Sequence, residues 1–140
     1  MSFQKAETSS SRYADDILID LMNNPRELKI HNVSELKTSE NSKEGYQYFY
    51  VSFEDVENSM TFKVPYNVKV NHDDSIYVGI GAKIYPLLSF VSHIEDEAIV
   101  CFKEDIDEAL NGLVFHAKAV MRKFGRSPYY ILIPLNEGDD

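Results

Sequence analysis

The sequence predicts a mostly β domain of the α+β class: a five-stranded Greek-key barrel with an N-terminal helix and a short helix before the last hairpin. Apolar residues alternate with period two over most of the chain, helical spacing is confined to short segments, and turn residues separate these segments. The 140 residues suffice for one core. We therefore predict one globular domain over 12–136, between a mobile leader at 1–11 and an acidic tail at 137–140.

An amphipathic helix is predicted near the N-terminus. Ser10 or Ser11 can cap it, because a serine hydroxyl accepts a hydrogen bond from a free backbone N–H of the first turn. Pro25 ends it, since proline has no N–H and disfavours helix in the residue before it. Apolar residues recur at spacings of three and four, as one helix face requires: Tyr13, Ile17, Leu18, Leu21 and Met22.

Strands are predicted from residue 27 onward, where the period changes to two. Residues 27–33 form a first strand, and a polar loop over 37–45 follows. Residues 46–53 and 60–64 flank a polar turn and predict a hairpin. In its first strand, one face carries Tyr46, Tyr48, Tyr50 and Ser52, and the other carries Gln47, Phe49, Val51 and Phe53.

The middle of the chain predicts further strands. Apolar residues alternate over 76–86, and Gly79 and Gly81 indicate a bend in this long strand, as a small barrel requires at a corner. Segments 87–91 and 98–102 are shorter strand candidates.

The last third contains a short helix and one ambiguous segment. Residues 103–110 have acidic residues early and the apolar pair Ile106 and Leu110 four apart, and Gly112 follows as a stop. Residues 113–124 fit both a strand and a helix, because their apolar residues match either period. We favour a strand, a turn and a final strand, because β-branched and aromatic residues follow.

The charge of the chain is unevenly distributed. Its formal net charge is −9, yet no Asp or Glu occurs between Ala109 and Asn136. Without the four cations of that stretch, 10 basic residues face 23 acidic ones, a balance of −13. An uneven charge distribution of this kind is informative about binding partners rather than about fold. The four cations are Lys118, Arg122, Lys123 and Arg126.

The sequence predicts neither catalysis nor a cofactor. The four histidines are dispersed and Cys101 is the single cysteine, so ligands at zinc-site spacing are missing. Apolar and acidic neighbours of Cys101 disfavour a nucleophilic thiolate and fit a structural thiol in a reducing cytoplasm. No segment has the roughly 20 apolar residues of a membrane span. We expect a cytoplasmic protein that is not an enzyme and has no metal, cofactor or membrane partner.

Tyrosines on the predicted strands and nearby cations form a candidate binding surface. Bases of single-stranded nucleic acid stack on aromatic rings, while lysine and arginine contact the phosphates. Tyrosines on neighbouring strands also pack simply as part of a sheet, with the hydroxyl at its rim. The candidate stacking residues are Tyr46, Tyr48, Tyr50, Tyr77 and Tyr85, and the candidate phosphate contacts are Lys63, Lys83, Lys118, Arg122, Lys123 and Arg126.

The order of the predicted elements matches that of a known family. Over residues 27–85 a strand, a polar loop, an aromatic strand and a glycine-containing strand follow one another, and residues 111–133 add a final hairpin. In this order the chain resembles the small OB-fold single-stranded DNA-binding proteins of bacteriophages and mobile elements. The resemblance implies an OB-like barrel that binds single-stranded DNA in replication or recombination. Family members use an acidic C-terminal tail to compete with DNA and recruit partners, and the tail here lacks their apolar tip.

Two other classes of function stay open. One is an acidic protein–protein interaction module: an adaptor, an inhibitor or a mimic of nucleic acid. The other is an assembly protein that forms a homo-oligomer through an exposed strand edge. A continuous basic, aromatic groove would favour DNA, and a broad acidic face would favour the adaptor. Acidic residues for such a face are Asp15, Asp16, Glu54, Asp55, Glu57, Glu95, Asp96, Glu97, Glu104, Asp105, Asp107 and Glu108.

Overall fold

The computed structural model describes residues 9–38, 45–124 and 127–135. Within them the chain is α+β and mostly strand, as the sequence predicts. The predicted acidic tail lies outside these ranges, as do residues 1–8 of the predicted leader, whereas residues 9–11 begin the first helix. The elements are α1 (Ser9–Asn23), β1 (Arg26–Val33), β2 (Tyr46–Asp55), β3 (Met60–Val70), β4 (Ile76–Val78), α2 (Tyr85–Ser92), β5 (Ile99–Cys101), α3 (Lys103–Leu110), β6 (Val114–Phe124) and β7 (Ser127–Pro134).

All seven described strands form one antiparallel sheet in the order β5-β4-β3-β2-β1-β6-β7. After a long connection β6 returns to pair with β1, so β6, β1, β2 and β3 have the spatial order of a Greek key. The sheet differs from the predicted five-stranded barrel because β4 and β5 extend it beyond β3. Among the described residues β5 and β7 are its two unjoined edges, so the sheet is open.

The sheet curves strongly around the helices. α1 contacts both β3 and β6, and α2 contacts both β5 and β7, the opposite edges. Neighbouring strands lie about 4.8 Å apart, so a flat seven-stranded sheet would hold its edges about 29 Å apart. The eight residues of α2 span only about 12 Å. The helices therefore fill the concave side of the sheet.

One hydrophobic cluster occupies the space between the helices and the sheet. α1 contributes Ile17, Leu18 and Leu21 to it, as its predicted stripe requires, whereas Met22 is 39% exposed. Facing side chains on β6 are Ala117 and Ala119, and their small size lets α1 approach the sheet closely. The described part of the chain thus has one core, as one domain requires.

The structure confirms two predictions about the last third of the chain. The ambiguous segment 113–124 is strand, because β6 pairs on one side with β1 and on the other with β7. The predicted helix over 103–110 is α3. Asp105 accepts a hydrogen bond from the N–H of Phe102 at its start (2.9 Å), and Gly112 beyond its end has a φ of +83°, which glycine adopts readily.

The predicted long strand over 76–86 is wrong, and so is the short strand over 87–91. Only the three residues of β4 are extended. The chain then turns, with the N–H of Ala82 bonded to the carbonyl of Gly79 (3.0 Å), and enters α2, which has Pro86 in its first turn. Six of the eight residues of α2 are apolar or aromatic, and a short apolar run does not distinguish a buried helix from a strand.

A β-bulge shifts the register of β1. Ile30 pairs with Phe53 and Asn32 with Ser52, so His31 is the extra residue. Val33 rather than Asn32 consequently points into the core, although simple alternation predicts the reverse. His31 stays on the solvent side, with its Nε2 atom 2.8 Å from the Oε1 atom of Glu54.

A buried ion pair joins α1, β1 and β2. Arg26 donates from Nε to Oδ2 of Asp55 (2.8 Å), and its terminal nitrogen lies 2.6 Å from Oδ2 of Asp20. Burial alone would raise the pKa of Asp55, but hydrogen bonds from Asn58 and Arg26 outweigh it and hold this pKa below the usual value. Because Asp55 is only 1% exposed, its assignment to an acidic surface is wrong.

Candidate nucleic-acid interface

The convex side of the sheet faces solvent. Side chains alternate between the two sides of a strand, and β3 shows the pattern clearly. Phe62 and Val64 are buried on the concave side, whereas Thr61, Lys63 and Lys69 are exposed on the convex side. Whatever binds to the sheet without disturbing the core therefore contacts these convex residues.

One row of convex side chains crosses four strands. Tyr46 on β2 lies opposite Lys69 on β3, and Lys69 lies opposite Tyr77 on β4. Val100 on β5 lies opposite Tyr77 and completes the row. Tyr46 and Tyr77 are 42% and 44% exposed. With neighbouring strands about 4.8 Å apart, the backbones carrying these tyrosines are about 10 Å apart, with Lys69 between them.

Tyr48 and Tyr50 continue the aromatic surface along β2. Their rings meet edge to face, with centroids 5.7 Å apart and planes at 87°, and both side chains are half-buried. Lys37 forms a β-bridge with Tyr48 through two backbone hydrogen bonds of 2.7 and 3.0 Å. Directly bridged residues place their side chains on the same side of a sheet, so Lys37 adds a cation beside the rings.

We call this surface the tyrosine face: Tyr46, Tyr48, Tyr50 and Tyr77 with Lys37, Lys63 and Lys69. Gly45 helps to fix its register. Its φ of +85° suits glycine, and its carbonyl accepts a hydrogen bond from the N–H of Val70 at 2.6 Å. This bond closes the end of the β2–β3 ladder and holds Tyr46 opposite Lys69.

The convex side is locally cationic although the chain is acidic. Its described strand residues include five Lys or Arg and two Glu, whereas the whole chain has a net charge of −9. Described acidic residues lie mainly on the helices and in turns. The convex cations are Lys29, Lys63, Lys69, Lys118 and Arg122, and the convex acids are Glu27 and Glu54.

The structure brings five of the predicted site residues together: Tyr46, Tyr48, Tyr50, Lys63 and Tyr77 lie on the tyrosine face. The other predicted residues lie elsewhere. The reason is that the segment predicted as one long strand turns away from the sheet after β4.

Tyr85 does not take part in the tyrosine face, and its assignment as a stacking residue is wrong. It belongs to α2, is 7% exposed, and donates its hydroxyl to the carbonyl of Glu97 at 2.6 Å. Lys83 lies in the turn before α2, beside the part of β3 that β4 does not cover. Its amine is 3.4 Å from the carbonyl of Pro65 and 5.5 Å from the ring centroid of Tyr66, and burial lowers the pKa of Lys83.

The remaining predicted cations lie on the β6–β7 hairpin. We call the exposed or half-exposed residues Lys118, Arg122 and Lys123 the cationic ridge. Arg126 lies outside the described residues. The ridge and the tyrosines of β2 lie beyond opposite ends of β1. At the start of β1, Arg26 pairs with Ala117, and the ridge residues follow Ala117 along β6. At its end, Val33 pairs with Val51, and Tyr46, Tyr48 and Tyr50 precede Val51 along β2. The eight residues of β1 separate the two regions by about 25 Å.

The predicted site residues did not include Lys69 and Lys37 of the tyrosine face, nor Val100 beside it. The alternation of β3 contained a signal for Lys69, because Lys63 and Lys69 are an even number of residues apart on one strand. Lys37 and Val100 have no such local signal. They join the surface only through pairing with β2 and β4.

Burial, assisted by the charge of Asp105, raises the pKa of the Cys101 thiol to about 11, so the thiol is protonated at neutral pH. Among the described residues, no three His, Cys, Asp or Glu side chains come together as metal ligands would. No helix within the described ranges is long and apolar enough to cross a membrane.

In comparisons with known proteins, no protein-family model, curated protein or solved structure matches the chain.

Proposed function

We propose that the chain binds single-stranded DNA along the tyrosine face, without catalysis, as a cytoplasmic component of replication or recombination. The row formed by Tyr46, Lys69 and Tyr77 carries this proposal. Two exposed rings flank one cation, an arrangement that suits two bases stacked on either side of a phosphate. Such contacts accept any base, because every base has an aromatic face.

The energetics of the tyrosine face support this proposal. Each base stacked on an aromatic side chain contributes about 1–3 kcal/mol. The exposed rings of Tyr46 and Tyr77 are free to stack on one face, whereas Tyr48 and Tyr50 already contact each other. Two good stacking positions and three lysines suit binding in the micromolar range, where the free energy of binding is about −8 kcal/mol.

The charge distribution supports the same surface. At long range a net charge of −9 repels DNA, and this repulsion weakens as salt screens it. At contact distance the phosphates meet the cationic convex side instead, since most exposed acids lie on the helices and turns. DNA therefore has one favourable approach, against the sheet.

The Greek-key arrangement provides a further argument. We propose that β1, β2, β3, β6 and β7 correspond to the five strands of an OB-like barrel, with β4 and β5 as an extension beyond β3. OB folds bind oligonucleotides on the face of their second and third strands. In this chain β2 and β3 carry three of the four tyrosines and both exposed strand lysines of the tyrosine face.

Fluorescence anisotropy with a labelled oligothymidine at about 50 and 200 mM salt tests the proposal. Three lysine–phosphate contacts predict a log–log salt slope of about −2, because single strands give about −0.7 per contact. Lack of binding at the lower salt concentration would refute the proposal. Competition with an RNA oligonucleotide of the same length then separates DNA binding from general single-strand binding.

An acidic protein-binding module is the second candidate, and the helical layer supports it. Asp15 and Asp16 on α1 and Glu104 and Glu108 on α3 are all exposed. A chain that binds no oligonucleotide but retains a basic protein partner would fit this candidate. The two functions use different sides of the sheet and are compatible in one molecule.

A further inference from the structure

The free edge of β5 offers unpaired backbone groups. Backbone groups in a strand point alternately to either neighbour. Val70 donates its N–H to Gly45 on the β2 side, so the adjacent residue Lys69 bonds with Tyr77 on β4. The N–H and C=O of Tyr77 thus point towards β3. Val100 lies opposite Tyr77, and its N–H and C=O therefore point away from β4 to the free edge.

An apolar groove lies beside this edge on the concave side. It has a volume of about 170 Å³ and is lined by Leu88 and Val91 of α2, Ile106 and Ala109 of α3, and Ile99 of β5, among others. Its lining residues come from β5, α2 and α3, so the groove lies directly beside β5. An aliphatic cavity of about 150 Å³ holds a benzene molecule, so this groove accommodates a leucine or phenylalanine side chain.

The surroundings of the edge are acidic. Glu95, Asp96 and Glu97 precede β5, Asp105 lines the groove, and Glu108 lies one turn further along α3. All five side chains are exposed. A second copy of the chain would bring an equally acidic edge against this one, whereas a segment with lysine or arginine beside its apolar residue is complementary in charge.

We propose that β5 is a docking edge for an extended basic segment of a partner protein. The segment pairs with the backbone of Val100 as an added strand and inserts one large apolar side chain into the groove between α2 and α3. In this mode of recognition main-chain hydrogen bonds provide affinity, and a pocket for an alternate side chain provides specificity. Val100, 61% exposed, is available to the side chains on the convex side of the segment.

The opposite edge of the sheet is closed to such pairing. Leu135 donates its N–H to His116 on β6 (2.8 Å), so the odd-numbered residues of β7 face β6 and the even-numbered ones face outwards. Pro128 and Pro134 are two of these outward residues, and neither has an N–H to donate. α2 also contacts β7. Of the two end strands, β5 is therefore the one open to strand addition.

Two variants separate the parts of this proposal. Val100→Pro removes the free N–H but no bond of the β4–β5 ladder, because that N–H points to the edge. Val100→Thr is its matched control and keeps the N–H. Ala109→Phe fills the groove from an exposed position on α3. Circular dichroism verifies that each variant is folded.

A phage-displayed library of random nine-residue peptides is selected against the wild-type chain, with Val100→Pro and Ala109→Phe as counter-targets. We expect peptides with one large apolar residue and a lysine or arginine within two positions of it. Synthetic versions should bind about tenfold more weakly to either variant, and Val100→Thr should bind as the wild type does. In hydrogen exchange, the Val100 N–H should be protected only in the complex.

Three outcomes would overturn the proposal. Selection yields no such peptides; the selected peptides bind both variants unchanged; or the wild-type chain dimerises and Val100→Pro abolishes the dimer, which would make a second copy the occupant. The proposal is independent of DNA binding. Ala109→Phe should leave oligonucleotide affinity unchanged, because Ala109 lies on α3 and not on the tyrosine face.

Discussion

The tyrosine face and the cationic ridge differ in what surrounds their cations. Lys69 lies between the exposed rings of Tyr46 and Tyr77. Lys118 lies opposite the aliphatic Ile133 instead, Lys123 lies opposite Pro128, and Arg122 lies opposite the half-buried Tyr129. Cations alone attract any anion, whereas cations beside exposed rings also offer stacking to bases. An acid-free stretch of sequence is therefore a weaker indicator of a nucleic-acid site than alternation of tyrosine and lysine across strands.

The largest expected effect comes from Arg26, which lies on β1 between the two regions. Arg26→Met leaves Asp55 buried without its charge partner, so the free energy of unfolding should fall by about 3–5 kcal/mol. Urea denaturation measures this. The matched control is Arg26→Met with Asp55→Leu, which should recover most of the loss because two apolar side chains replace the pair. Equal losses in both variants would show that Arg26 acts through something other than Asp55.

Acid should weaken the ion pair between Arg26 and Asp55. The pKa of Asp55 in the folded chain lies below its usual value of 3.8, so ionised Asp55 contributes stability above about pH 4. That contribution is lost as the pH falls through the folded-state pKa. Between pH 6 and pH 3 the unfolding free energy of the wild type should therefore drop more than that of the Arg26→Met and Asp55→Leu double variant. Parallel curves for the two proteins would contradict this prediction.

Removal of two exposed rings should have the largest effect on DNA binding. Tyr46→Ala with Tyr77→Ala removes stacking worth about 1–3 kcal/mol per base, so oligonucleotide affinity should fall at least tenfold. Anisotropy titration measures it. Tyr129→Ala, on the β6–β7 hairpin, is the matched control and should retain affinity within about twofold. If this control loses as much affinity as the double variant, the ridge is part of the site.

Charge reversal should distinguish the two sets of cations. Lys63→Glu with Lys69→Glu should weaken binding strongly and reduce the salt slope by about 1.4, the share of two phosphate contacts. Lys118→Glu with Arg122→Glu changes the net charge equally. These two residues lie about 25 Å from the tyrosines of β2, which is several Debye lengths at 0.2 M salt. Their reversal should therefore change the affinity for the oligonucleotide less than threefold. The reverse order of effects would move the site to the ridge.

Local pattern determined a large part of this structure. The alternation in β2 correctly placed Tyr46, Tyr48 and Tyr50 on one side, and the helical spacing around Ile106 and Leu110 correctly gave α3. These features depend on neighbours within a few residues, where the period of apolar residues distinguishes strand from helix. In α2 the apolar run is too short for its period to distinguish helix from strand, and the prediction of a strand there was wrong.

The sequence by itself determined the α+β class, most of its strands and the side of β2 that bears tyrosines. Only the tertiary structure decided which of these side chains are neighbours. Lys69 meets Tyr46 and Tyr77 through strand register, and Arg26 reaches Asp55 across 29 residues. A one-residue change of register would move every side chain of a strand to the other side of the sheet, and register depends on contacts between distant segments. The candidate site therefore arises from pairing, and the charge pattern that marks the β6–β7 hairpin in the sequence lies at the other end of the sheet.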